Sequence, residues 1–171
     1  MALAWFYHSG PVRLSYRGFG ELAVAVAYGP LVVSGTYLVQ TGTMTAPLLH
    51  ASIALGILVA AFLWINQFPD FEADLSCGKL NLVVKLGRDR AMLAFAGILA
   101  GGYLWLILTT LSYPDSRGLL WGLLGLPPAL FSAWKLRESK GITRELIPAQ
   151  VACLASFVLM AIGAGLGYLL F

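Results

Sequence analysis

Five stretches of the chain are apolar over 17 to 24 residues each, and short polar segments separate them. They are 22–39 (LAVAVAYGPLVVSGTYLV), 47–65 (PLLHASIALGILVAAFLWI), 91–111 (AMLAFAGILAGGYLWLILTTL), 118–134 (GLLWGLLGLPPALFSAW) and 148–171 (PAQVACLASFVLMAIGAGLGYLLF). A helix rises about 1.5 Å per residue, so each run is long enough, or nearly so, for a hydrocarbon core about 30 Å thick. Within lipid a segment must satisfy its own backbone, which favours helices, and the alternation expected of barrel strands is absent. The pattern predicts an all-α integral membrane bundle of about five transmembrane helices, forming a single membrane domain over 1–171. The opening MALAWFY is apolar but too short to span; it reads as the stump of a helix whose beginning is missing. Its flank HSGP is not a signal-peptide cleavage site.

Composition agrees with the bilayer as solvent. Hydrophobic residues make up 59% of the 171 and charged residues 11%, against about 25% charged in a soluble domain. The net charge of +3 carries a topology signal and does not point to nucleic acid. Lys and Arg outside the apolar runs number two before the first (Arg13, Arg17), none in 40–46, four in 66–90, one in 112–117, four in 135–147 and none after the last. High and low counts alternate, so the positive-inside rule puts the N-terminus, the 66–90 loop and the 135–147 loop in the cytoplasm and the C-terminus outside the cytoplasmic membrane. Cys77 and Cys153 have no metal or redox spacing and read as two unpaired thiols. His8 and His50 are isolated and take no role.

The runs have internal punctuation. Gly29-Pro30 and Pro127-Pro128 are helix breakers that membrane helices tolerate where neighbours satisfy the freed backbone. GILAGGY and GAGLGY supply small residues for close helix approach. Simple bundle packing accounts for all four sites.

The 66–90 segment concentrates charge. Asp70, Glu72 and Asp74 are followed by Gly78, Lys79, Lys85, Arg88 and Arg90. On a helix Asp70 and Asp74 share one face, with Cβ atoms about 5–6 Å apart, while Glu72 points elsewhere. Like charges at that spacing repel unless a cation joins them. Mg²⁺ is commonly held by one or two carboxylates, with waters and substrate phosphates completing its octahedron. The pair therefore reads as a site for a magnesium-bound phosphate; taken alone, it reads equally as two solvated acids. Asn66, four residues upstream, offers an amide oxygen, but Pro69 implies a break between Asn66 and Asp70. Gly78 suits a left-handed helix cap, and Lys79 beyond it can reach a diphosphate oxygen. GK is not a P-loop, because the upstream glycine is missing. Glu72, Asp89, Asp115, Glu138 and Glu145 read as solvated.

The run NQFPDFEADLSCGKLNLVVKLG resembles the second aspartate-rich motif of the UbiA superfamily of intramembrane prenyltransferases, and within it the 1,4-dihydroxy-2-naphthoate prenyltransferase branch. That branch has N-N-x-R-D-x-x-x-D-x-x-x-G-K-x-T-L. Upstream, Tyr7, Gly10, Pro11, Leu14, Tyr16, Gly18, Gly20, Glu21, Gly29, Pro30, Tyr37, Gln40 and Gly42 match a second pattern of the branch. Gln67, Pro69 and Asn81 depart from it; Asn66, Asp70, Asp74, Gly78 and Lys79 do not.

The resemblance implies nine helices in two related halves, each with one aspartate-rich motif, and Mg²⁺ ions bridging a diphosphate between them. The first motif has no counterpart here, so the chain looks like the C-terminal half of such an enzyme, lacking an N-terminal half. It implies transfer of a polyprenyl group from a prenyl diphosphate to an aromatic acceptor resembling 1,4-dihydroxy-2-naphthoate, in menaquinone or quinone synthesis, as part of a complete enzyme. Asp70 and Asp74 would be catalytic and, with Asn66, would hold the metal. Asn66 and Lys79 would bind the diphosphate. Arg13 and Arg17 would hold an anionic acceptor or simply anchor the topology. Phe68, Phe71, Tyr103 and Trp105 would shelter an allylic cation, or belong to the core and the interface belt. The alternatives are a catalytically inactive fragment and a non-enzymatic membrane protein.

Overall fold

A computed structural model describes residues 2–140 and 142–170; Met1, Gly141 and Phe171, the last residue of the final apolar run, lie outside the described residues. The elements are α1 (Ala2–His8), α2 (Gly20–Val26), α3 (Val32–Thr41), α4 (Ala46–Asn66), α5 (Phe71–Ser76), α6 (Leu82–Leu86), α7 (Arg88–Ser112), α8 (Leu126–Glu138) and α9 (Ile147–Leu170). No strand occurs among the described residues. The expectation of an all-helical membrane bundle holds. Among the described residues, five helical stretches are long and apolar enough to cross a membrane: Gly20–Thr41, Ala46–Asn66, Arg88–Ser112, Pro114–Glu138 and Ile147–Leu170.

The breakers have local solutions. Pro30 has no N–H and its ring crowds the preceding turn; the chain answers with a π-helical segment, Ala27–Leu31, which joins α2 to α3 without ending the span. A 3-10 segment, Pro114–Gly125, leads into α8, and Pro127 and Pro128 then fall in the first turn of α8, where the missing N–H groups would be unpaired anyway.

α4 is central. It packs antiparallel to α7, with Trp64 Nε1 donating to the Ala91 carbonyl at 3.1 Å near one end and Trp105 Nε1 donating to the His50 carbonyl at 3.0 Å near the other. Leu58, Ile65, Phe68, Phe95, Leu106 and Leu136 are fully buried between the helices. Gly29 lies so close to Gly56 on α4 that a Cβ there would meet Gly56 Cα at 2.7 Å. Gly118 and Gly167 bring the 3-10 segment and α9 into backbone contact in the same way. The basic segments 13–17 and 79–90 meet at one end of the bundle, where Lys85 Nζ reaches the Arg17 carbonyl, and Asn66 at the end of α4 meets Gln150 near the start of α9.

Candidate functional site

The charged 66–90 segment is built from two short helices, α5 and α6, and closes with the first turn of α7. α4 stops at Asn66. Gln67 and Phe68 turn back through N–H bonds to the Trp64 and Ile65 carbonyls, at 3.1 and 3.4 Å. Pro69 follows, and Asp70 becomes the residue that caps α5. The Asp74 N–H donates to the Asp70 carbonyl at 2.7 Å, so the two aspartates are one helical turn apart.

The end of α5 explains Gly78-Lys79. Gly78 is left-handed at φ 69°. Its N–H donates to the Leu75 carbonyl at 3.2 Å, and the Lys79 N–H donates to the Asp74 carbonyl at 2.8 Å. This pair of bonds is a Schellman turn, which needs a residue without a Cβ penalty at the glycine position. The turn folds Lys79 back over Asp74. Lys79 Nζ lies 3.1 Å from Asp74 Oδ1 and 3.0 Å from Oδ2.

The two aspartates differ sharply. Asp74 is 9% exposed. Besides Lys79 it accepts from Asn81 Nδ2 at 2.7 Å, and Asn81, itself 1% exposed, caps α6 by accepting from the Val84 N–H at 2.9 Å. Asp70 is exposed, and its carboxylate makes no capping bond. Glu72 is also exposed and pairs with Arg88 at 3.3 Å, and the Arg88 guanidinium lies 4.8 Å over the Phe71 ring.

The remaining expected site residues scatter. Asn66 Oδ1 accepts from Gln150 Nε2 on α9 at 2.8 Å, so its carbonyl is directed to α9. Arg13 is left-handed and lies 4.5 Å over the Tyr16 ring, and Arg17 donates to the Pro11 carbonyl at 3.4 Å. Phe68 is in the core, and so is Tyr103, whose hydroxyl lies 2.7 Å from Ser156 Oγ. Trp105 lies 17 residues along α7 from Arg88, roughly 25 Å up the helix axis from the carboxylates.

Sequence reasoning missed Glu21, Gln67 and Asn81 as parts of this site. Glu21 opens α2 and is 4% exposed; its Oε1 accepts from Gln67 Nε2 at 3.0 Å and from the Leu82 N–H at 3.1 Å. Burial, then the nearby Glu21 carboxylate, raise the Tyr7 phenol above its ordinary pKa. The available signal was an acid at the very edge of an apolar run, where a carboxylate needs a partner.

The donor set fits Mg²⁺ better than a metal that needs an all-protein cage. Among the described residues no three His, Cys, Asp or Glu side chains form a group. Two carboxylates a turn apart are enough for Mg²⁺ when waters and phosphates supply the rest. The Asp70 carboxylate is exposed. A carboxylate offers about four lone-pair sites, so Asp74 retains capacity beyond the bonds from Lys79 and Asn81.

The model of the UbiA prenyltransferase family matches residues 1–141. The chain is 35% identical over 151 residues to a 1,4-dihydroxy-2-naphthoate octaprenyltransferase of Mycobacterium tuberculosis, covering 86% of this chain and 49% of that protein. It is 33% identical over 142 residues to the protein of the same name in Escherichia coli, covering 83% of this chain and 44% of the relative. A 2-carboxy-1,4-naphthoquinone phytyltransferase of Synechocystis is 36% identical over 85 residues, half of this chain and 28% of the relative. The chain thus spans about half the length of the curated relatives it matches. No solved structure matches.

Proposed function

The chain belongs to the UbiA prenyltransferase family, and from that membership we propose that it supplies one diphosphate-binding half of an enzyme that transfers a polyprenyl group to a 1,4-dihydroxy-2-naphthoate-like acceptor in quinone synthesis. The observation that carries the reading is the Asp70–Asp74–Lys79 turn. Asp70 and Asp74 stand one helical turn apart, and the Schellman cap folds Lys79 back onto Asp74, at the basic end of an otherwise apolar bundle.

The difficult step is C–O cleavage, which leaves a diphosphate and an allylic cation. Mg²⁺, when bound, would neutralise charge on the departing diphosphate. Asp70 and Asp74 would hold it. Lys79 is poised beside Asp74 to donate to a diphosphate oxygen, and donors fixed in advance act without reorganisation. Arg13 and Arg17, at the same end of the bundle, are the cations available for an anionic acceptor. A second segment carrying the other aspartate-rich motif would complete the ligand set. The basic end faces the cytoplasm in this reading.

The test is reconstitution. Membranes holding this chain together with the first half of the M. tuberculosis relative are given Mg²⁺, a polyprenyl diphosphate and 1,4-dihydroxy-2-naphthoate. Prenylated product should appear only with both segments. Product from this chain alone would overturn the half-site reading, and no product with any donor or acceptor of these classes would overturn the activity. Orientation has its own check. Cys77 is exposed, and with Cys153 replaced, an impermeant thiol reagent outside intact cells should leave it unlabelled.

A further inference from the structure

Glu21 takes no part in the proposed chemistry, yet this carboxylate is buried at the edge of an apolar helix. A buried carboxylate is costly unless hydrogen bonds compensate it. Both of its described bonds run to Oε1, and they come from opposite ends of one segment. Gln67 follows α4 directly and stands three residues before Asp70; Leu82 opens α6, one residue after the Asn81 that holds Asp74. One oxygen therefore closes the base of the whole 67–82 excursion. The strap leading into α2 adds two ties on the same side. The Leu80 N–H donates to the Tyr16 carbonyl at 3.2 Å, and Lys85 Nζ donates to the Arg17 carbonyl at 2.6 Å. Glu21 Oε2 and Gln67 Oε1 are buried without a partner among the described residues, so the described compensation of this buried carboxylate falls on the two bonds at Oε1.

We propose that Glu21 is a positioning residue that clamps both ends of the 67–82 segment and thereby fixes the spacing of Asp70, Asp74 and Lys79. What the segment binds rests on the function proposed above; the clamp itself does not. The acceptor oxygen is the working part, and the negative charge is not. Glu21→Gln therefore retains the clamp, because the amide keeps one carbonyl oxygen for Gln67 and Leu82, whereas Glu21→Ala removes it. Gln67→Leu cuts only the tie at the entry to the segment.

Hydrogen exchange on the full chain in lipid nanodiscs tests the clamp without any enzymatic readout. The amides of Asp74, Gly78 and Lys79 are bonded inside the segment and report its opening. Glu21→Ala should speed their exchange at least tenfold, in line with the loss of bonds to a charged acceptor, with protection in α7 and α9 unchanged. Glu21→Gln should stay within about threefold of wild type, and Gln67→Leu should lie between. If Glu21→Ala does not fold, Gln67→Leu decides. Wild-type exchange over 67–82 in Glu21→Ala, or in Gln67→Leu where Glu21→Ala does not fold, overturns the clamp.

In the reconstituted enzyme Glu21→Ala should raise KM for the prenyl diphosphate at least tenfold with KM for the acceptor unmoved, and Glu21→Gln should restore it. A Glu21→Gln enzyme as impaired as Glu21→Ala, with wild-type exchange, also overturns the proposal, since the charge would then be acting. Loosened exchange in Glu21→Ala with no product from any reconstituted sample sinks prenyl transfer and leaves the clamp standing.

Discussion

Asp70→Ala and Asp74→Ala should injure activity alike and stability very differently. Asp74 is buried between two donors. Its removal strands the Asn81 amide, at 1% exposure, and a buried donor without an acceptor costs about 1–3 kcal/mol. Lys79, whose side chain is 26% exposed, turns to water, so its lost pairing adds only about 0–1 kcal/mol. The sum is about 1–4 kcal/mol. At about 2–4 °C per kcal/mol for a chain of this size, the midpoint should fall by about 2–16 °C. Asp70 is exposed and caps nothing with its side chain, so Asp70→Ala should stay within about 0.5 kcal/mol of wild type. Both remove a carboxylate from the proposed metal site, and both should lower prenyl transfer by roughly 10²-fold or more in the reconstituted enzyme. Thermal unfolding followed by circular dichroism in one detergent, beside single-turnover product formation well below each midpoint, separates the two effects. Equal midpoint losses would refute the assignment of Asp74 as the structural member of the pair. A folded Asp70→Ala protein with more than a tenth of wild-type rate would refute its role as a ligand.

Three further outcomes follow from the same geometry. Glu72→Ala should cost under about tenfold in rate and under about 0.5 kcal/mol in stability, because it is held by an exposed pairing with Arg88; damage equal to that of Asp70→Ala in the same assay would make the segment an acidic patch without defined ligands. Gly78→Ala adds a Cβ that touches nothing but must sit at φ 69°, so it should lower the unfolding midpoint by the equivalent of about 1 kcal/mol, and Gly78→Asn by less. Gly167→Ala, whose Cβ would strike the Gly118 carbonyl, should destabilise the bundle by several kcal/mol, whereas Gly101→Ala, with open space around it, should be neutral or stabilising by about 1 kcal/mol; comparable midpoints would show that the α9 contact is not tight.

What could be read from the sequence follows the range of each interaction. The helical membrane class was legible because lipid dictates both the length and the apolarity of a span. The left-handed cap at Gly78 was legible because its bonds stay within α5 and the residues just after it. Glu21 was hidden because its partners Gln67 and Leu82 lie 46 and 61 positions away. The Asn66–Gln150 contact was hidden for the same reason, at a separation of 84; only the folded bundle shows the Asn66 carbonyl facing α9. Asn81, a departure from the family pattern, gave no sign that its amide would hold a buried aspartate. Pro30 signalled a disturbed helix, but not that the chain would continue through a π segment packed closely on Gly56.

Under the proposed function, the contrast between Asp70 and Asp74 bears on how such a half-site would be ready before another half arrives. Asp74 is fixed from three directions: the cap of α5 bonds its carbonyl, Asn81 bonds its carboxylate, and Lys79 neutralises it. The contacts around the turn come from α2, α4, α5 and α6, so under the proposed clamp the spacing of the turn is set within this chain. Asp70 is one turn away on the same short helix and exposed, so in the proposed site its side chain would be free to choose a rotamer for a cation and a diphosphate. A rigid carboxylate sets the place and a free one adjusts to the ligand, and this division limits the entropy lost on binding to one short side chain. Under the proposed function, then, the strength of diphosphate binding should depend on the clamp beneath the turn as much as on the carboxylates that touch the metal.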